Sequence, residues 1–163
     1  MAEPIPIRQK IITALDTRLK TILTTNGYLS NIGTYVVAWQ TSPTPIEDLN
    51  PAEIEYRDSD VAITIGGAVP VGVHSHRMQV TLEVRIAGST TIELLRKMEA
   101  DIHKAIGVEV NGAAPPRWGG VAVITDPSRT VLRAEQVGDK AAGLTFEFFI
   151  TFRTLEWDPY TAV

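Results

Sequence analysis

The chain has 163 residues, of which 44% are hydrophobic and 21% are charged, a composition typical of one globular domain with its own core. Its formal net charge of −4 argues against nonspecific attraction to nucleic acid or to an anionic membrane. The lack of cysteine excludes disulfides, thiol catalysis and cysteine-based zinc sites. The opening MAEPIPIRQK has no basic region followed by an apolar run, and no apolar stretch reaches membrane-spanning length, so we expect a soluble protein of a cytoplasm.

The first periodic segment, PIRQKIITALDTRLKTILTTNGY, predicts an amphipathic helix. Its apolar residues recur every three or four positions and would share one face: Ile7, Ile11, Leu15, Leu19 and Ile22. Pro6 suits a first helical turn, and Gly27 suits the residue just past a helix end. The conformational entropy lost when some twenty residues become ordered outweighs the free energy gained by burying these five side chains. The helix must therefore dock on a larger structure.

Strand patterns fill the next part of the chain. TYVVAWQ predicts a short strand, and the prolines that follow predict an extended loop at residues 41–53. IEYRDSDVAITIGG predicts two short strands around a polar turn at Asp58 to Asp60. HSHRMQVTLEVRIAG is the clearest strand, because apolar residues from Met78 to Ile86 alternate with polar residues from Arg77 to Arg85.

A second amphipathic helix is predicted by STTIELLRKMEADIHKAIG. Thr90 and Glu93 have the spacing of a capping box, and Gly107 stands where a C-cap glycine would end the helix. The apolar stripe consists of Leu95, Met98, Ile102 and Ala105. The following VEVNGAAPPRWGG has the composition of a loop.

The last third of the chain predicts further strands. VAVITDPSRTVLRAE indicates two strands joined by a turn at Asp126 and Pro127, and LTFEFFITFRTL indicates one long strand. One face of that strand carries Leu144, Phe146, Phe148, Ile150 and Phe152. The other face carries Thr145, Glu147, Thr151 and Arg153 and is interrupted by Phe149. The order of helix, strands, helix and strands predicts a single α+β domain over residues 1–163, a mostly antiparallel β-sheet with two α-helices packed on one face.

Two histidines are the best candidates for a metal site. His74 and His76 are two apart on a strand and should share a face, a spacing that can bind zinc or copper. Such a site needs a third ligand, and the remaining histidine, His103, belongs to the second helix. The alternatives are a metal-dependent hydrolase that uses both histidines with a carboxylate such as Asp60, and, more simply, two polar residues at the start of a strand.

Other candidate groups are weaker. The acidic group of Glu53, Glu55, Asp58 and Asp60 is consistent with a cation site or nuclease centre, but solvated turn carboxylates explain it better. Arg117 beside Trp118 could stack a nucleobase, while the simpler interpretation is that the tryptophan anchors its own loop. No glycine-rich phosphate loop and no GxSxG sequence is present. The sequence therefore predicts no catalytic residue, no cofactor and no enzyme.

Several segments together resemble the tail terminator proteins of long-tailed bacteriophages, the lambda minor tail protein U type. These segments are the N-terminal helix, DLNPAEIEYRDSD, the strand MQVTLEVRIAG running into the helix ELLRKMEADIHKAI, and a final strand that closes in Thr-x-x-x-Asp-Pro-Tyr from Thr154 to Tyr160. The resemblance covers most of the chain as an order of patterns.

The resemblance implies a structural virion protein that forms a hexameric ring at the head-proximal end of the tail tube. Such a ring ends tube polymerisation, contacts the tail tube protein and the head–tail connector or stopper protein, and lets DNA pass without specific binding. Assembly would take place in the host cytoplasm. The expected interface residues are Arg77, Glu83, Arg85, Arg117, Trp118, Glu147, Arg153, Trp157 and Tyr160. Another neck, head-closure or tail-completion protein is the alternative within the same class.

The apolar residues of the closing FRTLEWDPYTAV leave two interpretations of the C-terminal tail at 156–163. Trp157 and Tyr160 either fold back over their own sheet edge or rest on an adjacent subunit or the tube end. The loop at 41–53 and the NGAAPPRWGG loop are the expected contacts along the tail axis.

Overall fold

The computed structural model describes residues 3–38, 45, 48, 52–65, 69–87, 92–111, 118–133 and 141–163. These residues form two α-helices and six strands: α1 (Ile7–Leu19), β1 (Val36–Ala38), β2 (Ala52–Thr64), β3 (Val73–Ala87), α2 (Ile92–Asn111), β4 (Ala122–Arg133), β5 (Ala141–Leu155) and β6 (Asp158–Ala162). Short 3₁₀ turns at Thr24–Asn26 and Ile32–Thr34 connect α1 to β1. Within this part of the chain, no helix is both long enough and apolar enough to cross a membrane.

The six strands form one mixed sheet in the order β1-β2-β3-β5-β4, with β6 paired to the end of β5. β1 runs parallel to β2, and the other pairs are antiparallel. The predicted class, an α+β fold with a mostly antiparallel sheet, is therefore confirmed.

The long pair of β3 and β5 builds the centre of the sheet. Its register places Met78 opposite Ile150 and Leu82 opposite Phe146, so the apolar residues of both strands lie on one face. Both helices pack on that face, and every residue of the two predicted apolar stripes is buried in the same core. The sequence thus predicted correctly which side of each helix and of each central strand is buried.

The two turns predicted inside strand regions are wrong. β2 runs through Asp58 and Asp60 as one strand with a register shift between Asp58 and Val61. β4 likewise continues past Pro127, with a shift between Pro127 and Arg129. Each polar or proline-containing stretch is a bulge, which inserts a residue and bends the strand without ending it.

The ends of both helices differ from the predictions. α1 ends at Leu19, and Gly27 instead closes the first 3₁₀ turn, with a φ of 79°. α2 continues through Gly107 to Asn111, so Gly107 is not a C-cap. Thr90 of the predicted capping box lies outside the described residues, as does most of the proline-rich loop at 41–53.

Asp101 of α2 ties the segment after α1 to the core. Its buried carboxylate accepts hydrogen bonds from the Leu29 backbone N–H at 2.9 Å and from the Ser30 hydroxyl at 2.6 Å. Lys104, one helical turn further on, donates to the Gly27 carbonyl at 2.6 Å and lies over the Tyr28 ring. These contacts fix residues 27–30 against α2.

Candidate functional site

The side of the sheet opposite the helices, here called the polar face, carries most of the expected interface residues. Two ion pairs cross between strands on it, Arg57 to Glu83 at 2.9 Å and Arg129 to Glu147 at 2.8 Å. Because the arginine of each pair is exposed to solvent, the pairs contribute little to folding. They do leave the polar face with paired charges of both signs.

Three further arginines complete the polar face. The guanidinium of Arg77 lies 3.7 Å from the centre of the Phe149 ring and covers the one aromatic residue that interrupts this side of β5. Among the described residues, Nη1 of Arg85 and Nε of Arg153 are buried without a hydrogen-bond acceptor. A buried N–H without an acceptor costs about 1–3 kcal/mol, so these two donors lower the stability of the free chain.

The second surface is the hairpin end, where the β5–β6 turn lies beside the start of β3. A backbone hydrogen bond of 2.8 Å from the Glu156 N–H to the Gly72 carbonyl joins the two turns. The apolar side chains exposed around this end are Ile63, Ile65, Val71, Leu155, Trp157 and Tyr160. Exposed apolar residues that cluster in this way mark interaction sites more often than single ones do.

Trp157 forms the tip of the hairpin end. Its backbone has a φ of +58°, a left-handed conformation that costs a non-glycine residue roughly 1–2 kcal/mol. Its side chain is 85% exposed and contacts the ring of His74 edge-on at 5.5 Å. β6 thus pairs with its own sheet, as the first interpretation of the C-terminal segment expected, but the indole is left almost uncovered.

The two histidines lie on one face of β3, as their spacing predicted, with ring centres 6.1 Å apart. His76 stacks on Phe152 at 4.8 Å, and its Nε2 is 2.9 Å from the Thr154 hydroxyl. Burial, and secondarily the neighbouring His74, lowers the pKa of His76. Within the described residues no third histidine or acidic group joins them as a metal cluster, and His103 packs against Phe146 on another part of the core.

The acidic group is not a set of solvated turn carboxylates. Glu53 and Glu55 are buried on β2, and Asp58 at the bulge forms an ion pair with Arg8 of α1. The side chain of Asp60 lies outside the described residues. Glu53, Glu55 and Asp58 therefore belong to the strand and its attachment to α1.

Trp118 is fully buried, with 0% of its surface exposed. Its Nε1 donates a 2.8 Å hydrogen bond to the Thr125 hydroxyl, and its ring stacks on Phe148 at 6.2 Å. The side chain of Trp118 therefore lies in the core and is joined to β4. Arg117 lies outside the described residues.

Sequence reasoning missed an apolar depression at the opposite end of the sheet, here called the Leu29 hollow. It measures about 470 Å³ and is lined by Leu29, Ser30, Asn31, Ile32, Thr34, Tyr35, Ala52, Leu94 and Met98. These residues come from three separate stretches of the chain, so no local pattern reveals them. The one available signal was Leu29 itself, an apolar residue in a polar turn sequence and 62% exposed in the structure.

The sequence matches no protein-family model, and it matches no curated protein. Among solved structures, the chain is similar to a chain of the virion of a native gene transfer agent particle, with a TM-score of 0.57 and 16% sequence identity. The match covers 88% of this chain and 97% of the other. At this identity the likeness establishes a shared fold over nearly the whole of both chains.

Proposed function

We propose that this protein is a structural subunit of a phage-like virion and acts as a tail terminator. Six copies form a ring at the head-proximal end of the tail tube, end tube polymerisation and join the tail to the head connector or stopper protein. The observation that carries the proposal is the fold shared over 88% of this chain with a chain of a gene transfer agent virion. The order of elements that resembles tail terminators supports the same assignment.

The polar face supports a role in contacts between subunits. A ring closes through head-to-tail interfaces, in which each subunit presents two different surfaces. Charges paired across strands, such as Arg129 with Glu147, keep the polar face soluble in the free chain and set the register when copies meet. In the ring, Arg77, Glu83, Arg85, Glu147 and Arg153 contact the neighbouring subunit.

The remaining contacts run along the tail axis. The loop at 41–53 and the loop around Arg117 face the tail tube and the connector. Trp157 and Tyr160 instead rest on an adjacent subunit or on the tube end as aromatic anchors. The net charge of −4 suits a ring through which DNA must slide without being held. The protein has no catalytic function and no cofactor in this proposal.

The position of the chain in intact particles tests the proposal. Electron cryo-microscopy of virions that contain this chain should show it as a six-fold collar between capsid and tail. Negative-stain images of the concentrated protein should show hollow rings, although a monomer in dilute solution is compatible with assembly on the tube. Density for the chain elsewhere on the head–tail axis would favour the head-closure alternative, and substrate turnover by the isolated chain would contradict a structural role.

A further inference from the structure

We infer that Trp157 of one subunit inserts into the Leu29 hollow of the next subunit. The inference rests on the proposed ring, since it assigns the two unlike surfaces that a head-to-tail interface requires. It concerns surfaces at the two ends of the sheet. The contacts proposed above for the polar face are unchanged.

Trp157 has the properties of an anchor. It projects from a two-residue turn that is held by strand pairing and by the Glu156–Gly72 backbone hydrogen bond. Among the described residues, its one ring contact is edge-on to His74, and its Nε1 donates a 3.1 Å hydrogen bond to the Glu156 carboxylate, while 85% of the residue stays exposed. A bulky residue kept in a left-handed backbone conformation is retained at a cost to folding, and such strain concentrates at functional positions. Tryptophan is also enriched among residues that dominate binding energy.

The Leu29 hollow has the properties of a receiving site. Its volume of about 470 Å³ lies within the range of pockets that hold small aromatic ligands. Its walls are mostly apolar, with Ser30, Asn31 and Thr34 as the polar groups able to meet an indole N–H. The Asp101 contacts with Leu29 and Ser30 hold one wall in place, so the hollow is formed before any partner arrives.

The anchor and the hollow lie at opposite ends of the sheet. Trp157 touches His74 near the start of β3, whereas Ala52 of the hollow pairs with Ile86 near its end. Twelve residues of strand separate these positions, which corresponds to roughly 40 Å. One subunit therefore cannot insert Trp157 into its own hollow, and the contact must join two copies head to tail.

One inserted indole is too small an interface to hold a stable dimer, since specific interfaces bury about 800 Å² per partner. The contact therefore sets the direction and register of the interface that the polar face forms between subunits. It holds subunits together firmly only when several of them are assembled. This agrees with assembly on the end of a tube.

Disulfide cross-linking tests the inference directly, because the natural chain has no cysteine. Glu156→Cys places a thiol beside the anchor, and Thr34→Cys places one at the hollow; both positions are exposed. When the two single variants are mixed, in concentrated solution and in virions, we expect disulfide dimers that contain one of each. A chain with both substitutions should give a covalent ladder that ends at six.

The tip residue supplies the matched controls. In the double-cysteine chain, Trp157→Gly should weaken cross-linking by about 30-fold or more while leaving the fold intact, because glycine relieves the left-handed strain. Trp157→Tyr should retain most of the cross-linking. Ile124→Ala, a truncation of an apolar residue on β4 that is 46% exposed, should have no effect.

Each failure has its own meaning. Dimers formed mainly between like variants, or no mixed dimers in either sample, would overturn the inference even if virions show a ring. Unchanged cross-linking in the Trp157→Gly chain would also overturn the inference. So would a Trp157→Gly variant that forms normal rings but fails to complete tails, because Trp157 would then contact another protein. A ladder from a chain that virion maps place outside a ring would instead overturn the proposed function.

Discussion

The turns around Trp118 and Trp157 share a left-handed backbone conformation and differ in how far the tryptophan is buried. Both tryptophans are left-handed, with φ values of 54° and 58°. Trp118 is fully buried, bonded to Thr125 and stacked on Phe148. Trp157 is almost fully exposed and touches only the edge of His74 among the ring contacts of the described residues.

The cost of the left-handed backbone is offset in different ways at the two tryptophans. At Trp118, burial of an aromatic side chain outweighs a strain of roughly 1–2 kcal/mol within the chain itself. At Trp157, folding of the single chain supplies no comparable gain. The turn of Trp118 therefore stabilises the domain, whereas the strain at Trp157 is explained by a contact outside the subunit.

Trp118→Ala tests the first half of this comparison and should have the largest effect. Removal of a fully buried indole leaves a cavity beside Phe148 and should lower the free energy of unfolding by about 3–5 kcal/mol. Chemical denaturation followed by circular dichroism measures it. A loss below about 1 kcal/mol would show that the turn at Trp118 is not part of the core.

Deletion of residues 156–163 tests the second half. Among the described strands, β6 pairs only with the end of β5, and it is largely exposed, although Ala162 packs against the core. The truncated chain should therefore fold, with unfolding free energy lower by about 1–2 kcal/mol from the lost hydrogen bonds, but should no longer assemble. A truncated chain that is unfolded would mean that the segment serves mainly to cover its own sheet edge.

Trp118→Phe separates the contribution of apolar burial from that of hydrogen bonding at this position. Phenylalanine keeps an aromatic ring against Phe148 but cannot donate to the Thr125 hydroxyl. We expect a loss of about 1 kcal/mol, or roughly 2–4 °C in thermal midpoint. Thr125→Val should give a similar loss, and adding it to Trp118→Phe should cost little more, because both remove the same bond.

The general architecture was predictable because periodicity reports burial. Each apolar stripe read from the sequence, such as Leu95 and Met98 on α2, lies in the core, and the alternation in β3 identified its buried face. The bulges at Asp58 and Pro127 were read as turns, since local composition indicates where a strand is irregular but not whether pairing resumes beyond it. That depends on the neighbouring strands.

The candidate surfaces were predictable only in part. The charges of the polar face follow from strand alternation, but the burial of Glu53 and Glu55 does not, because it depends on packing across strands. The exposure of Trp157 could not be separated from that of Trp118 by sequence, since both are single tryptophans in glycine- or acid-flanked turns. The Leu29 hollow is formed by residues distant in the chain, and only the fold brings them together.

Trp157→Gly should have a small effect of opposite sign to that of any change at Trp118. Glycine removes a left-handed strain of roughly 1–2 kcal/mol but adds chain entropy to the unfolded state, so a net gain of about 0.5 kcal/mol is expected. A thermal midpoint higher by one or two degrees would support it. A marked loss of stability would show that the indole is covered by its own chain.

The smallest predicted effect is a pH dependence confined to the hairpin end. Because burial and then His74 lower the pKa of His76 below its ordinary 6.5, protonation is disfavoured in the folded chain relative to the unfolded one. The stability is therefore complete above pH 6.5 and declines as the pH falls below that value. His76→Gln removes this contribution, so its thermal midpoint should fall less than that of the natural chain between pH 7.5 and 5.5. Equal falls in the thermal midpoints of the two proteins would show that protonation of His76 does not affect stability. As a control, Trp118→Phe should keep the full pH response because its turn contains no histidine.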